Sequence, residues 1–149
     1  MFRPRRSYRP ADSLVVSGAG NELVAQPIGS GAQAAPGLAV YRFGASLYYA
    51  NTNRFSEEVR GIVTEAAPPL TWLCLDAAAI SDVDYSAAEV LREMQVELGK
   101  QGVRVSFADV QGPVRKELDR YGITELVGAD AYFATVADAI AAHSRTGSR

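Results

Sequence analysis

The sequence has few of the residues on which enzyme chemistry depends. It contains one cysteine, Cys74, and one histidine, His143. An internal disulfide is therefore excluded, and the chain suits a reducing compartment. A histidine-rich metal site is excluded as well, and a Ser-His-Asp or Cys-His site would have to form close to the C-terminus. We expect no catalytic residues, and we expect His143 to be solvated or at a helix end, where its positive charge would suit the helix dipole.

Long apolar runs and a strong excess of one charge are also missing. No stretch approaches the ~20 apolar residues that a membrane-spanning helix needs. The 15 basic and 17 acidic residues give a net charge of −2, whereas nucleic-acid-binding domains are usually basic. With 149 residues, 48% of them hydrophobic, the chain is long enough to bury a core without a metal or disulfide. The composition thus predicts one globular domain with no nucleic-acid partner.

The two ends of the chain differ in composition from its middle. Four arginines, Arg3, Arg5, Arg6 and Arg9, stand with two prolines in the first ten residues. Like charges and prolines form cores poorly, so residues 1–12 are predicted to be a basic, extended tail. Residues 144–149 are polar and are predicted to fray. The pattern of a folded domain occupies residues 13–143, with a loop rich in Gly, Ala and Pro at residues 27–37.

Hydrophobic periodicity within this domain predicts alternating strands and helices. Apolar runs predict strands at residues 38–43, 47–50, 70–75, 103–108 and 131–133. Two shorter apolar runs, at residues 14–16 and 23–25, flank a predicted turn, and the second of them is a candidate edge strand. Helical spacing of apolar residues predicts helices at residues 52–67, 86–99, 112–121 and 135–143. The run at residues 70–75 is almost continuously apolar, which suits a strand buried on both faces. We expect its Trp72 and Cys74, and also Tyr48, in the core.

The predicted fold is accordingly an α/β domain with a mixed sheet and about four helices. In such sheets, ligands bind beyond the carboxyl ends of the strands. The strand at residues 70–75 ends at Asp76, and an acidic loop with Asp82 and Asp84 leads into the helix that Ser86 begins. A helix start offers free N–H groups and a partial positive charge. We therefore expect an anion or a partner protein to meet the domain at this loop.

Purely structural roles for the same residues stay open. Ser86 and Glu89 have the spacing of a capping box, in which each side chain bonds to the backbone of the other. The three aspartates do not have the spacing of a calcium-binding loop, so they are predicted to be solvated loop carboxylates with no metal.

The same stretch resembles the signature of STAS domains, which occur in bacterial anti-sigma-factor antagonists and in the cytoplasmic tails of SulP-type sulfate permeases. In the antagonists, a strand is followed by Asp, an apolar residue four positions on, and Asp-Ser-Ser-Gly at the helix start. Asp76, Ile80 and Asp84 match this pattern, Tyr85 and Ala87 replace the first Ser and the Gly, and Ser86 falls on the phosphorylated Ser. The resemblance makes Ser86 a candidate phosphorylation site.

A second run distinguishes between the two branches. Residues 36–51 contain Pro-Gly, an apolar strand with Tyr-Arg-Phe, and Leu-Tyr-Tyr-Ala-Asn, which resembles the permease version. The two resemblances together cover residues 36–143. They imply a non-catalytic regulatory and interaction domain on the cytoplasmic face of the membrane, in a transporter of sulfate or another anion. The implied partners are the transmembrane domain of the same permease, a second copy, or a cytosolic protein. The alternative is a stand-alone anti-sigma-factor antagonist switched by phosphorylation at Ser86.

The resemblance also raises nucleotide binding, with GDP, GTP or ATP as the ligand and no cofactor required for folding. The expected place is the ends of three neighbouring strands. The candidate residues for nucleotide or partner binding are Phe43, Gly44, Ser46, Ile80, Ser81, Asp82, Val83, Asp84, Tyr85, Ser86, Ala87, Asp109 and Gln111. Because residues 80–89 include aspartates but no Arg or Lys, we expect nucleotide binding to be weak at best.

Overall fold

A six-stranded mixed sheet organises the chain in the computed structural model, which describes residues 12–147. Of the predicted basic tail, residues 1–11 lie outside the described residues. The strands are β1 Ser13–Ser17, β2 Leu23–Pro27, β3 Leu38–Arg42, β4 Trp72–Asp76, β5 Arg104–Ala108 and β6 Tyr132–Phe133. Their order in the sheet is β2-β1-β3-β4-β5-β6. β1 is antiparallel to both of its neighbours, and β3 to β6 are parallel, which confirms the mixed sheet and the edge position of β2.

The described part of the chain contains five α-helices, four of them between strands and one after β6. They are α1 Thr52–Thr64, α2 Tyr85–Lys100, α3 Gly112–Arg120, α4 Ile123–Val127 and α5 Val136–Thr146. Four of them confirm the predicted helices, and the fifth, α4, was not predicted because five residues are too few to show a period. Between residues 12 and 147, no helix is both long and apolar enough to cross a membrane.

The core has two layers, one on each face of the sheet. Leu73 and Leu75 of β4 pack on one side, together with the apolar faces of α1, α2 and α3. Trp72 and Cys74 of the same strand pack on the other side, with Val136 and Ala139 of α5. The prediction that this strand is buried on both faces is thus confirmed. Burial also raises the pKa of the Cys74 thiol to about 12, which keeps the thiol protonated and unreactive.

Residues 47–50 do not form the predicted strand. Leu47 makes one isolated bridge with Val83, and Tyr49–Asn51 form a single 3-10 turn. Asn51 stabilises this turn, because its side chain accepts a hydrogen bond from the Tyr48 N–H at 3.0 Å and donates one to the Ser46 carbonyl at 2.8 Å. Tyr48 is 44% exposed, so its predicted place in the core was wrong.

The C-terminal helix also differs from the prediction. α5 continues through Thr146, three residues into the segment that was expected to fray. His143 lies in the last turn of α5, the helix-end position that was predicted, but it is buried rather than solvated. Its Nε2 lies 3.1 Å from the Thr71 hydroxyl, and its ring meets the Trp72 ring edge-on at 5.3 Å between centroids. Desolvation lowers the pKa of His143, so its role is that of a neutral packing residue.

Candidate functional site

Two loops meet at the carboxyl ends of the parallel strands. The Leu47 N–H donates to the Asp82 carbonyl at 3.0 Å, and the Asp84 N–H donates to the Leu47 carbonyl at 3.1 Å. The hydroxyls of Ser46 and Ser81 lie 2.8 Å apart. These bonds hold the loop after β3 against the loop after β4. We call the resulting surface, formed by residues 46–49 and 81–86, the carboxyl-edge corner.

Asp84 is the residue that positions both loops. One of its carboxylate oxygens accepts a hydrogen bond from the Ala87 N–H at 2.9 Å and so caps α2. The other accepts from the Tyr49 N–H at 3.0 Å. The cap predicted at Ser86 was therefore wrong by two residues. Ser86 lies in the first turn of α2 with its side chain exposed.

Substitutions of Asp84 and Ser86 can show which of the two residues caps α2. We expect Asp84→Ala to lower the free energy of unfolding by about 2 kcal/mol, because it removes the helix cap and leaves the Tyr49 N–H without its acceptor. We expect Ser86→Ala to change it by less than about 0.5 kcal/mol, as for an ordinary surface position. Urea denaturation followed by circular dichroism measures the free energy of unfolding of both variants. A larger decrease in Ser86→Ala than in Asp84→Ala would show that Ser86 is the cap after all.

Asp76 is not a solvated loop carboxylate as predicted. It has no exposed surface, and it accepts hydrogen bonds from Arg42 Nε at 2.8 Å and from the Ala78 N–H at 3.1 Å. Arg42 and Asp76 are the last residues of β3 and β4 and are aligned in the sheet register. The ion pair therefore joins the two strand ends directly behind the carboxyl-edge corner.

Glu117 of α3 was not predicted as part of the site, because on the sequence it is one of several charged residues on an amphipathic helix. Its Oε1 accepts a hydrogen bond from the Val83 N–H at 2.9 Å. Burial and a hydrogen bond with the Asp82 carboxyl raise the pKa of Glu117. The acidic side chains of Glu117 in α3 and Asp82 in the loop after β4 thus face each other, and Arg120 partly offsets their charge.

The candidate binding residues fall into two groups. The side chains of Phe43, Ile80, Val83 and Ala87 are buried and form the floor beneath the loops. The exposed or half-exposed group is Gly44, Ser46, Ser81, Asp82, Asp84, Tyr85, Ser86, Asp109 and Gln111. The part of these side chains in binding a nucleotide or partner stays a prediction.

The third strand end contributes Asp109 and Gln111. Asp109 has a left-handed backbone, with φ of 56°, and burial together with the nearby Asp76 raises its pKa. The Gln111 side chain donates to the Ala78 carbonyl at 3.3 Å. The loop after β5 therefore lies beside the loop after β4, as the parallel topology predicts. Among residues 12–147, no group of three His, Cys, Asp or Glu side chains is arranged to hold a metal ion.

Exposed tyrosine rings cover the carboxyl-edge corner. Tyr49 is 76% exposed, Tyr85 64% and Tyr48 44%. The Tyr85 ring also meets Tyr121 edge-on at 5.8 Å. Tyrosines are enriched where proteins bind one another, because a large ring with a polar end loses little entropy on binding. The corner is therefore suited to contacts with a macromolecule.

A second titratable cluster lies where β1 begins. Asp12 accepts hydrogen bonds from the Gly44 N–H at 2.7 Å and from Arg54 Nε at 2.9 Å. The Tyr41 hydroxyl donates to Glu58 at 2.5 Å. Burial, followed by a hydrogen bond with Asp12, raises the pKa of Glu58 to about 7. Glu58 is thus held protonated in the folded state at a pH where an unfolded chain would ionise it.

This raised pKa predicts a pH-dependent stability. Since the folded protein binds the proton more tightly, the contribution of Glu58 is fully present below pH about 4.5 and is lost as the pH rises through about 7. Glu58→Gln should therefore make stability fall less between pH 5 and pH 8 than it does in the parent, by about 1 kcal/mol after allowance for solvent screening. Urea unfolding across this range tests it, with Glu57→Gln, an exposed neighbour, as the control. Parallel pH profiles for the parent and Glu58→Gln would contradict the prediction.

The fold and the corner together define a small α/β domain with exposed tyrosines at the carboxyl edge of its sheet. The sequence model of the STAS domain matches residues 31–139, and the chain belongs to this family. It is 30% identical over 114 residues to the "Probable sulfate transporter Rv1739c" of Mycobacterium tuberculosis, which is 76% of this chain and 20% of that protein. It is 28% identical over 120 residues to "High affinity sulfate transporter 2" of Stylosanthes hamata. The chain spans about a fifth of the length of these relatives.

Solved structures share the fold. The murine Solute Carrier 26 family member A9 anion transporter superposes with a TM-score of 0.73 at 19% identity, over 88% of this chain and 22% of that one. The SulP transporter STAS domain from Vibrio cholerae gives 0.63 at 21% identity, over 77% of this chain and 88% of that one. A candidate anti-sigma factor antagonist from Thermotoga maritima gives 0.61 at 12% identity, over 71% of this chain and 86% of that one.

Proposed function

We propose that this chain is the STAS domain of a SulP-type transporter of sulfate or a related anion, and that it acts as a non-catalytic regulatory domain on the cytoplasmic face of the membrane. The observation that carries the proposal is the similarity to sulfate transporters. About three quarters of this chain matches them, and the matched part makes up only about a fifth of each transporter. The permease-like run at residues 36–51 supports it, since it forms β3 and the turn that joins the carboxyl-edge corner.

The corner supplies the contact surface in this proposal. Hydrogen bonds that involve Ser46, Leu47 and Asp84 hold its two loops in one geometry, so little conformational freedom remains to be lost on binding. The exposed rings of Tyr49 and Tyr85 supply contact area. The partners we propose are the transmembrane domain of the same transporter, a second copy of the domain, or a cytosolic protein.

Anion uptake tests this proposal. The coding sequence upstream of this chain should continue in frame through several segments of ~20 apolar residues. Expressed whole in a host that lacks sulfate uptake, the protein should import radiolabelled sulfate. We expect Tyr49→Ala with Tyr85→Ala to reduce the uptake rate several-fold at an unchanged protein level. The control is Val96→Ala, an exposed apolar residue elsewhere on α2. A short reading frame with no apolar segments, or normal uptake in the tyrosine variant, would contradict the proposal.

A phosphorylation switch is the second candidate function. The exposure of Ser86 in the first turn of α2 favours it, because a phosphate there would meet the free N–H groups of the helix start. Asp82, Asp84 and Glu89 oppose it through like charge. Incubation with a cognate kinase and ATP should add the mass of one phosphate to the parent and not to Ser86→Ala. If the parent gains no mass, the phosphorylation switch is rejected and the transporter domain is the one proposal that remains.

Weak nucleotide binding is a further part of the proposal. The start of α2 supports it, but two of the arginines near the loop already have partners. Arg42 bonds Asp76, and Arg92 bonds Glu89 and the Tyr121 carbonyl. We expect backbone amide shifts at residues 81–87 only when GDP, GTP or ATP reaches millimolar concentration. No shifts at that concentration would end the nucleotide prediction.

A further inference from the structure

The loop after β3 is attached to the start of β1 through Asp12. One oxygen of the Asp12 side chain accepts a hydrogen bond from the Gly44 N–H at 2.7 Å, and the other accepts one from Arg54 Nε at 2.9 Å. The Asp12 side chain is 7% exposed, so these bonds lie largely away from water. Asp12 therefore fixes the beginning of the connection that leads to Ser46 and Tyr49 in the carboxyl-edge corner.

Glu58 of α1 lies against the same aspartate. The two carboxyl groups form a hydrogen bond, which requires a proton on one of them, because a carboxylate oxygen can only accept. The ion pair with Arg54 stabilises the charged form of Asp12. The proton therefore resides on Glu58, whose Oε1 accepts a hydrogen bond from the Tyr41 hydroxyl at 2.5 Å. Glu58 thus accepts from β3 and donates to the start of β1.

Three ionisable side chains among residues 12–147 face Glu58. Asp12 faces it from the start of β1, and Tyr41 faces it from β3. Arg54, one turn earlier in α1, is the cation of the group. Tyr41 stays neutral, because burial, followed by its bond with Glu58, raises its pKa. Loss of the Glu58 proton therefore leaves two carboxylates in contact beside one guanidinium, which is an unfavourable arrangement.

We propose that the Asp12–Glu58 pair is a pH-sensitive connection between β1, α1 and the loop after β3. With the proton in place, the pair holds Asp12 against the Gly44 N–H. When the pH rises above neutrality, Glu58 ionises, repels Asp12 and competes with it for Arg54. The Gly44 N–H then loses its acceptor, and the loop that enters the carboxyl-edge corner loosens. A weakening of partner contacts by this change rests on the proposed function, whereas the change itself concerns this chain alone.

The pH range of the response is set by Glu58. Burial and the bond with Asp12 raise the pKa of Glu58 to about 7, so the residue is mostly protonated at pH 6 and mostly ionised at pH 8. The one histidine, His143, does not account for a change in this range at the loop. Desolvation lowers the pKa of His143, and its ring packs on Trp72, which begins β4 at the opposite end of the parallel strands.

An NMR titration of the full 149-residue chain between pH 5.5 and pH 8.5 tests this proposal. The side-chain carboxyl carbon of Glu58 reports its ionisation, and the Gly44 amide reports the hydrogen bond to Asp12. Both signals should shift with one midpoint, near pH 7, and the amides of Ser46 and Tyr49 should follow. Protection of the Gly44 amide against solvent exchange, corrected for the intrinsic pH dependence of exchange, should fall about tenfold between pH 6 and pH 8.

Glu58→Gln is the variant that should remove the transition. The glutamine amide can still donate to Asp12, and its oxygen can still accept from the Tyr41 hydroxyl, so the loop stays attached at every pH. The Gly44 amide should therefore keep its low-pH position and its protection throughout the titration. The matched control is Glu57→Gln, an exposed neighbour on α1, which should show the midpoint of the parent.

Three results would overturn the proposal. One is a Glu58 carboxyl group that is already ionised at pH 5.5, which is measured in the parent and does not depend on the folding of any variant. Another is a Glu58 midpoint near pH 7 without a shift at Gly44. The third is an unchanged Gly44 transition in Glu58→Gln, which would assign it to another group. None of these results depends on sulfate uptake, so failure here is distinguishable from failure of the transporter proposal.

Discussion

Arg42→Ala should lower the free energy of unfolding by about 3 kcal/mol, because it leaves the Asp76 carboxylate buried without its counter-charge. Asp76 has no exposed surface, and its remaining hydrogen bond comes from the Ala78 N–H. Asp109 adds a second negative charge nearby. The ends of β3 and β4 should separate as a result, and the amide signals of Ser46 and Ser81 should shift with them.

Urea denaturation at pH 7 measures this loss. Adding Asp76→Asn to Arg42→Ala should recover part of the stability, because the neutral amide needs no counter-charge. The control is Arg115→Ala, which breaks an exposed pair with Asp119 in α3 and should cost less than about 0.5 kcal/mol. A loss below about 1 kcal/mol in Arg42→Ala would mean that water or another group stabilises Asp76 in place of Arg42.

Phe43→Ala has the other large expected effect, a loss of about 3–5 kcal/mol. Phe43 is fully buried. Its ring meets Phe55 edge-on at 5.5 Å and Tyr41 at 6.4 Å, and the Arg54 guanidinium lies over it at 4.5 Å. Truncation removes these contacts and leaves a cavity between β3 and α1.

A comparison of Phe43→Ala with Tyr49→Ala distinguishes an effect on stability from an effect on partner binding. Tyr49 lies in the same connection, but it is exposed, so its truncation should change the unfolding free energy by less than about 0.5 kcal/mol and should act on partner contacts alone. Thermal and urea unfolding of both variants provide the measurement. Near-parent stability in Phe43→Ala would contradict the buried position of its ring.

Local pattern was enough to predict most of the fold. The part of the apolar run that became β4 has no polar position from Trp72 to Leu75, so either face could be covered by helices, and both are. Four helices were predicted because their apolar residues repeat with the helical period over nine or more residues. The STAS resemblance rested on short-range spacing around Asp76, Ile80 and Asp84, and the family match confirms it.

The roles within the site were decided by contacts between distant parts of the chain. Asp76, Asp82 and Asp84 look alike in one acidic loop, yet Arg42 from β3 pairs with the first, Glu117 from α3 faces the second, and Tyr49 donates to the third. Spacing alone suggested Ser86 as the cap, because Ser86 and Glu89 have capping-box spacing, although the N–H that Asp84 caps, that of Ala87, is just as close in sequence. The helix-end position of His143 was predicted, but its burial was not, because Thr71 and Trp72, which contact it, come from a distant part of the chain. Periodicity records which face of an element is apolar, whereas the partner of a polar side chain depends on which elements the fold brings beside it.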